Sequence, residues 1–262
     1  MKKNTIVVSF VASKGGPGKS TLLTVMMNYL QIKTDLEIVL IETDYIQQTL
    51  NKTRIAELRE AKDMLKAYEA MEPEADLDED ELMEWKKNVD EEKKQYMLNE
   101  DDMYEIYVLR PGDVKEVVEE DLMGEVDIVF IDVPGSLAIE QIVSVYELVD
   151  YIFVPTKYGR GEIEAFKDIM KVVDKQIIPQ RAAVGKGVEV YGVLNDITPN
   201  LKEYTEYVAN KPKMPIPFLK TDIPHGPVAF IRGFSTYKMY EYPSRPKLIE
   251  NFCEEIIEIL TK

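Results

Sequence analysis

The sequence predicts an α/β fold: a doubly wound, mostly parallel sheet with helices on both faces, interrupted by a charged helical insert. Three observations predict it. Short apolar runs rich in β-branched residues recur along the chain. Segments of helix length separate them. The first run flows straight into a glycine-rich loop that opens a helix. Continuous apolar runs mark strands buried on both faces, and strands alternating with helices argue for parallel βαβ units.

Taken in order, "TIVVSFVA" (5–12) predicts the first buried strand. Two lysines before this run and a small residue after it imitate a secretory signal, but the run is short and leads directly into the glycine loop. "STLLTVMMNYLQIK" (20–33) is apolar on most sides and of helix length. "LEIVLIET" (36–43) is the next strand, and "VDIVFID" (126–132), "VDYIFVPT" (149–156) and "VEVYGVLN" (188–195) repeat the pattern. "GEIEAFKDIMKVVDKQI" (161–177) is an amphipathic helix between two of them. "YEIYVLRPG" (104–112) returns the chain to the sheet, "MPIPFL" (214–219) is a weaker strand, and "KLIENFCEEIIEIL" (247–260) is a final helix.

Segment 53–104 breaks this rhythm. Two charged stretches joined by "EPEADLD" predict an exposed helical hairpin, with Glu-to-Lys spacings that suit a solvated face. The chain of 262 residues is 45% hydrophobic and carries a net charge of −16. From Glu57 to Glu125 there are 25 acids and 9 bases, so the excess acid lies there and the remainder is neutral. A low isoelectric point therefore does not exclude nucleic acid as a partner, because local patches make phosphate contacts. One cysteine, Cys253, rules out a disulfide framework within the chain, and one histidine, His225, rules out multi-histidine metal sites. A reducing, cytoplasmic setting is expected, and no segment approaches the ~20 apolar residues of a membrane span.

Chemistry concentrates after the first strand. Gly15, Gly16, Pro17, Gly18, Lys19, Ser20 and Thr21 form a loop whose backbone N–H groups can face phosphate oxygens, with the positive end of a helix behind them. Lys19 is expected on the β- and γ-phosphates of a nucleotide, and the Ser20 hydroxyl on Mg²⁺. Ser13 stands where the general phosphate-loop formula has its first glycine, and Pro17 removes one donor. Asp132, at the end of an apolar strand, is the expected second Mg²⁺ ligand, and Gly135 beyond it opens a loop able to sense the terminal phosphate. Asp150 precedes its strand and reads as structural.

"KGGPGKS" (14–20) resembles the deviant Walker A motif of the ParA/MinD family of ATPases, in which the position of Ser13 is commonly not glycine. The resemblance implies one P-loop NTPase-type domain spanning 1–262, with the acidic insert 53–104 inside it. Lys14 looks like the family's signature lysine, which crosses an ATP-dependent homodimer to the neighbour's phosphates. Asp44, in "IETD", looks like the carboxylate that orients the hydrolytic water; Glu42 stands where the family has aspartate. Asn195, at the end of "YGVLN", matches the adenine-binding asparagine, and Pro224, in "TDIPHGPVAF", the proline packed on the base. His225 beside it reads as a loop histidine. The long insert, the "FIDVPGS" form and the plain C-terminal helix look most similar to ParA-like proteins of conjugative elements in Bacteroidetes.

The function implied is an ATP-dependent dimerisation switch that hydrolyses Mg-ATP in DNA partition, positioning or conjugative transfer. A stimulating partner protein and non-specific DNA are the expected partners. From Pro179 to Lys247 there are ten bases against six acids, and Lys211, Lys213, Lys220, Arg232, Lys238, Arg245 and Lys247 are candidates for phosphate contact. The alternatives are a MinD-like membrane-positioning ATPase and a small-molecule or transfer enzyme on the same fold. Glu250, Glu254, Glu255 and Glu258 in the last helix argue against a membrane anchor. A single cysteine argues against iron-protein reductases, and the tyrosines 237, 240 and 242 do not form a terminal cluster.

Overall fold

The computed structural model describes residues 4–12, 18–73, 76–94, 96–98, 100–134, 144–157, 160–198, 202–211, 214–225, 235–238 and 247–262. Six strands, β1 (Ile6–Phe10), β2 (Ile38–Glu42), β3 (Glu105–Val108), β4 (Ile128–Asp132), β5 (Tyr151–Thr156) and β6 (Glu189–Leu194), make one sheet in the order β3-β2-β4-β1-β5-β6. Every pairing is parallel. The apparent signal sequence is therefore the inner strand β1, with Val7, Val8, Ser9 and Phe10 fully buried.

Among the described residues the α-helices are α1 (Lys19–Lys33), α2 (Thr49–Glu69), α3 (Glu79–Lys94), the single turn α4 (Val114–Val117), α5 (Arg160–Val172), α6 (Ile178–Ala183), α7 (Lys202–Asn210) and α8 (Leu248–Leu260). Two apolar layers cover the two faces. On one, Val8, Phe10, Leu40, Phe130 and Phe153 meet α1 through Leu22, Met26 and Leu30, and α8 through Phe252 and Ile256. On the other, Val7, Val39, Ile131, Ile152 and Val154 meet Val114, Val118, Tyr146, Phe166 and Ile169. Each strand alternates its side chains between the two layers, which is why its run of apolar residues is unbroken.

Register brings the chemistry to one edge. Phe10 pairs with Asp132, and Asp132 with Glu42, so the carboxyl ends of β1, β4 and β2 lie level. Helices and loops that follow these ends converge there, as ligand sites do in open parallel sheets.

Two expectations change. The stretch 214–219 forms no strand among the described residues, only a parallel bridge from Phe218 to Gly192. Pro215 and Pro217 remove two of the N–H donors a ladder would need. The hairpin also starts earlier than 53, because α2 begins at Thr49 and its root is packed into the protein: Leu50, Arg54 and Ala61 are buried. Farther out the solvated reading holds, since α3 buries Val89 alone. The two helices meet where the Tyr68 hydroxyl donates to Glu92 at 2.8 Å and the Tyr68 and Tyr96 rings lie 5.8 Å apart.

Arg181 and Asp150 form a structural tie behind the sheet. The fully buried Arg181 donates to Asp150 at 2.5 Å, to the Gly187 carbonyl at 2.8 Å and to the Glu147 carbonyl at 2.7 Å. Asp150 also accepts the Val7 N–H at 2.9 Å.

Candidate functional site

Gly18 ends the loop after β1 and opens α1. Its φ of +85° belongs to the left-handed region that glycine enters without steric cost. The Leu22 N–H donates to the Gly18 carbonyl at 2.9 Å, so the helix starts on it directly. No acid occupies the first turn of α1, and its positive end faces the site uncompensated from within. Lys14, Gly15, Gly16 and Pro17 lie outside the described residues, as do Ser13 and Gly135.

Lys19, Ser20 and Asp132 form one hydrogen-bonded group. The Lys19 ammonium pairs with Asp132 Oδ1 and donates to Ser20 Oγ at 3.3 Å, while Ser20 Oγ donates to Asp132 Oδ2 at 3.1 Å. Asp132 is buried and Lys19 nearly so. A hydroxyl and a carboxylate 3.1 Å apart, beside a helix N-terminus, are hard oxygen donors suited to Mg²⁺. No cluster of three or more acidic, histidine or cysteine side chains that could hold a metal occurs among the described residues.

Asp44 sits just past β2, half-buried, in a tight turn: Gln47 N–H donates to its Oδ1 at 3.1 Å and Gln48 N–H to its carbonyl at 2.8 Å. Its carboxylate is engaged locally and not by the Lys19–Ser20–Asp132 group. Glu42 has a different use. It caps α2, accepting Leu50 N–H and Asn51 N–H at 3.0 Å each through its two oxygens. Burial pushes the Glu42 carboxyl above its usual range, the backbone N–H groups of Leu50, Asn51 and Thr49 pull it back, and the Asp132 charge adds to the rise.

At the other end of the site the buried Asn195 packs its amide against Gly18, so close that a Cβ there would collide with it. The Asn195 N–H donates to the Thr156 carbonyl at 2.9 Å, locking the ends of β5 and β6. Pro224 is buried and bridges to Ile197, with Ile197 N–H on the Ile223 carbonyl at 3.1 Å and Ile223 N–H on the Leu194 carbonyl at 2.8 Å. The Thr21 position is half-buried in the first turn of α1.

A carboxylate unremarked in the sequence joins these parts. Asp196, with φ of +57°, pairs with Lys157 after β5 and with His225 after Pro224. Burial alone would raise the Asp196 carboxyl; the bonds from Lys157 and His225 outweigh it and hold the group below its usual range. The signal was available in part: Lys157 and Asp196 lie one and two residues past the ends of β5 and β6, where side chains of different strands converge.

The candidate phosphate-contacting cations separate into two groups. Lys220, Lys238 and Lys247 are exposed. Lys211 is not free, because it pairs with Asp222 and donates to the Leu219 carbonyl at 3.2 Å. Two neighbouring Asp/Lys charges cancel locally, which removes it from a phosphate-binding face. Lys213, Arg232 and Arg245 lie outside the described residues.

No protein-family model and no curated protein sequence matches the chain. Solved structures do match it in fold. A plasmid partition protein of Borrelia burgdorferi B31 bound to AMPPNP is 16% identical over 98% of this chain and 100% of its own, with a TM-score of 0.57. The septum site-determining protein MinD of Pyrococcus horikoshii, complexed with Mg-ADP, is 17% identical over 97% of each chain, also at 0.57. Cobyrinic acid a,c-diamide synthase of Mycobacterium smegmatis, with an ATP analogue and magnesium, is 14% identical over 98% of this chain and 96% of its own, at 0.56. The six-stranded parallel sheet with helices on both faces is thus a P-loop NTPase-type α/β fold, shared along nearly the whole chain with these nucleotide-bound proteins.

Proposed function

We propose that the chain is an ATPase, and that ATP makes it a homodimer that positions or partitions DNA. The observation that carries this is the Lys19–Ser20–Asp132 group at the start of α1, with Asn195 packed on Gly18. The shared fold with partition and MinD proteins supports it.

In this reading Gly15, Gly16, Pro17, Gly18 and Thr21 line the phosphates, and Lys19 exchanges Asp132 for phosphate oxygens. Ser20 and Asp132 hold Mg²⁺, which when bound neutralises charge on the β- and γ-phosphates. Asn195 offers an amide donor and acceptor to adenine, and Pro224 packs on the base. Asp44 accepts a hydrogen bond from a water and orients it for in-line attack; the water oxygen bonds to the γ-phosphorus as the bond to the ADP oxygen breaks, and the water's proton passes to the released phosphate. Lys14 of each subunit supplies a cation to the other subunit's phosphates, so that hydrolysis waits for assembly.

Oligomeric state with ATP and Mg²⁺ tests the switch. Asp44→Ala should accumulate as an ATP-bound dimer, and Lys14→Ala should remain a monomer that still binds ATP. A wild type that refuses ATP, or stays monomeric at every ATP concentration, overturns the proposal. Non-specific DNA binding through Lys220, Lys238 and Lys247, in partition or conjugative transfer, should need ATP and fall steeply with added salt. DNA retention that is absent with ATP and Mg²⁺, or unaffected by salt, removes this DNA contact from the account.

Core packing is the role the structure supports for α8. Ile249, Phe252, Ile256 and Leu260 are buried while Glu250, Glu254 and Glu258 are exposed, and Glu255 accepts Lys220 N–H and Thr221 N–H at 2.6 and 2.9 Å. Among the described residues no helix is long and apolar enough to cross a membrane.

A further inference from the structure

The turn that carries Asp44 is built between two anchored ends. At the first, Thr43 donates its N–H and its hydroxyl to the Asp132 carbonyl at 3.0 and 2.9 Å. At the second, Glu42 reaches past the turn and holds the N–H groups of Leu50 and Asn51, the second and third residues of α2. Gln48, just before the helix, has φ of +50°, a left-handed conformation that an ordinary side chain enters at a cost. Within the turn Gln48 donates its N–H to the Asp44 carbonyl and its side-chain amide to the Tyr45 carbonyl, both at 2.8 Å, and just beyond it the fully buried Glu42 carboxylate fixes the start of α2.

α2 is also fixed at its next turns. The buried Arg54 donates to Thr236 Oγ1 at 2.7 Å, to the Thr236 carbonyl at 2.8 Å and to the Tyr104 carbonyl at 3.2 Å, and Glu57 accepts Thr236 N–H at 3.0 Å. Asn28 of α1 holds the same segment through the Ser235 and Lys238 carbonyls at 2.9 and 2.7 Å. The root of the acidic hairpin is thereby continuous with the helix that opens the phosphate loop.

We propose that Glu42 is a positioning residue: by clamping the first turn of α2 to the end of β2 it sets the turn that aims Asp44, and so ties hydrolysis to the root of the acidic hairpin. The inference rests on Asp44 having the water-orienting role given above. A glutamate is required because its extra methylene spans the turn. An aspartate at this position stops one methylene short of two bonds that are already 3.0 Å long.

The test is Glu42→Asp, with Glu42→Gln as the variant that keeps the reach and one acceptor. In nucleotide-free protein, the loss of a cap worth about 1–2 kcal/mol should speed amide exchange at Leu50 and Asn51 about 5- to 30-fold in Glu42→Asp, while Val8 and Phe130 in the sheet exchange as in wild type. With ATP, kcat should fall about 10- to 100-fold with KM unchanged, as expected for a misaimed group that does not bind substrate. Glu42→Gln should fall between wild type and Glu42→Asp in both readouts. Wild-type exchange at Leu50 and Asn51 in Glu42→Asp overturns the proposal, and so does faster exchange with unchanged kcat. A wild type without ATP turnover overturns the functional reading, and this inference with it; normal turnover with an undisturbed cap in Glu42→Asp overturns this inference alone.

Discussion

Replacing Gly18 by alanine probes the joint between the phosphate loop and the base end of the site. Two costs arise. An L-residue held at φ of +85° pays about 1–2 kcal/mol for left-handed backbone. The new Cβ also collides with the Asn195 amide, which must leave a buried position, at about 1 kcal/mol more for the polar contact it loses. Together these predict a loss of about 2–3 kcal/mol, or about 4–12 °C in melting temperature for a chain of this size. Thermal melting followed by circular dichroism, without nucleotide, measures it. The double variant Gly18→Ala/Asn195→Ala isolates the collision, since removing the amide should return about 1 kcal/mol while the backbone cost remains. A Gly18→Ala protein that melts with the wild type refutes the left-handed requirement. A double variant in which the two losses simply add refutes the contact.

Other perturbations test other parts. Arg181→Met should destabilise by about 3 kcal/mol, because it strands Asp150 and two carbonyls behind the sheet; urea unfolding reads the change directly. Gly192→Ala would drive a methyl into the Phe218 ring, which packs on Phe166 and Tyr207 at centroid distances of 5.5 and 6.0 Å, and should cost about 1–3 kcal/mol in the same assay. Arg54→Leu, which cuts α2 from Thr236, should increase proteolysis at the 235–238 segment before it affects the sheet, as mass mapping of the first cleavage sites would reveal. Asp196 has a carboxyl held below its usual range, so its contribution to stability is present above the unfolded-state value of about 3.9 and is lost as pH falls through the folded-state value. Melting temperature should therefore drop more steeply in acid for wild type than for Asp196→Asn, and parallel curves would contradict the pairing.

The strands were legible in the sequence because both faces of this sheet are covered, and unbroken apolar runs have no other comfortable location. The same rule misjudged 214–219, where hydrophobicity was right but two prolines left too few donors for a ladder. It also placed the start of the hairpin late. The charge pattern that marks a solvated helix begins only where α2 leaves the core, whereas the helix itself begins at the Glu42 cap. The meeting of Lys19, Ser20 and Asp132 could be expected from the sequence because each belongs to a local motif or a strand end. That of Lys157, Asp196 and His225 could not, since it depends on three separate connections returning to one edge. Glu42 was visible as an unusual residue, but its use as a cap is a property of the helix that follows it.

The position of β1 has a consequence for how the molecule is made. β1 precedes the other five strands of the sheet in the chain yet is an inner one, flanked by β4 and β5, and its partners begin at Ile128 and Tyr151. At about 5–20 residues per second, a ribosome delivers β5 roughly 7–30 s after β1. For most of that interval, until β4 is made, an apolar, β-branched segment has no neighbours to pair with. Contacts this distant along the chain also make the search for the native arrangement slow. Newborn chains should thus depend on holding chaperones more than their size suggests, and shortening the delay by moving β1 behind β6 in a circular permutant should ease that dependence.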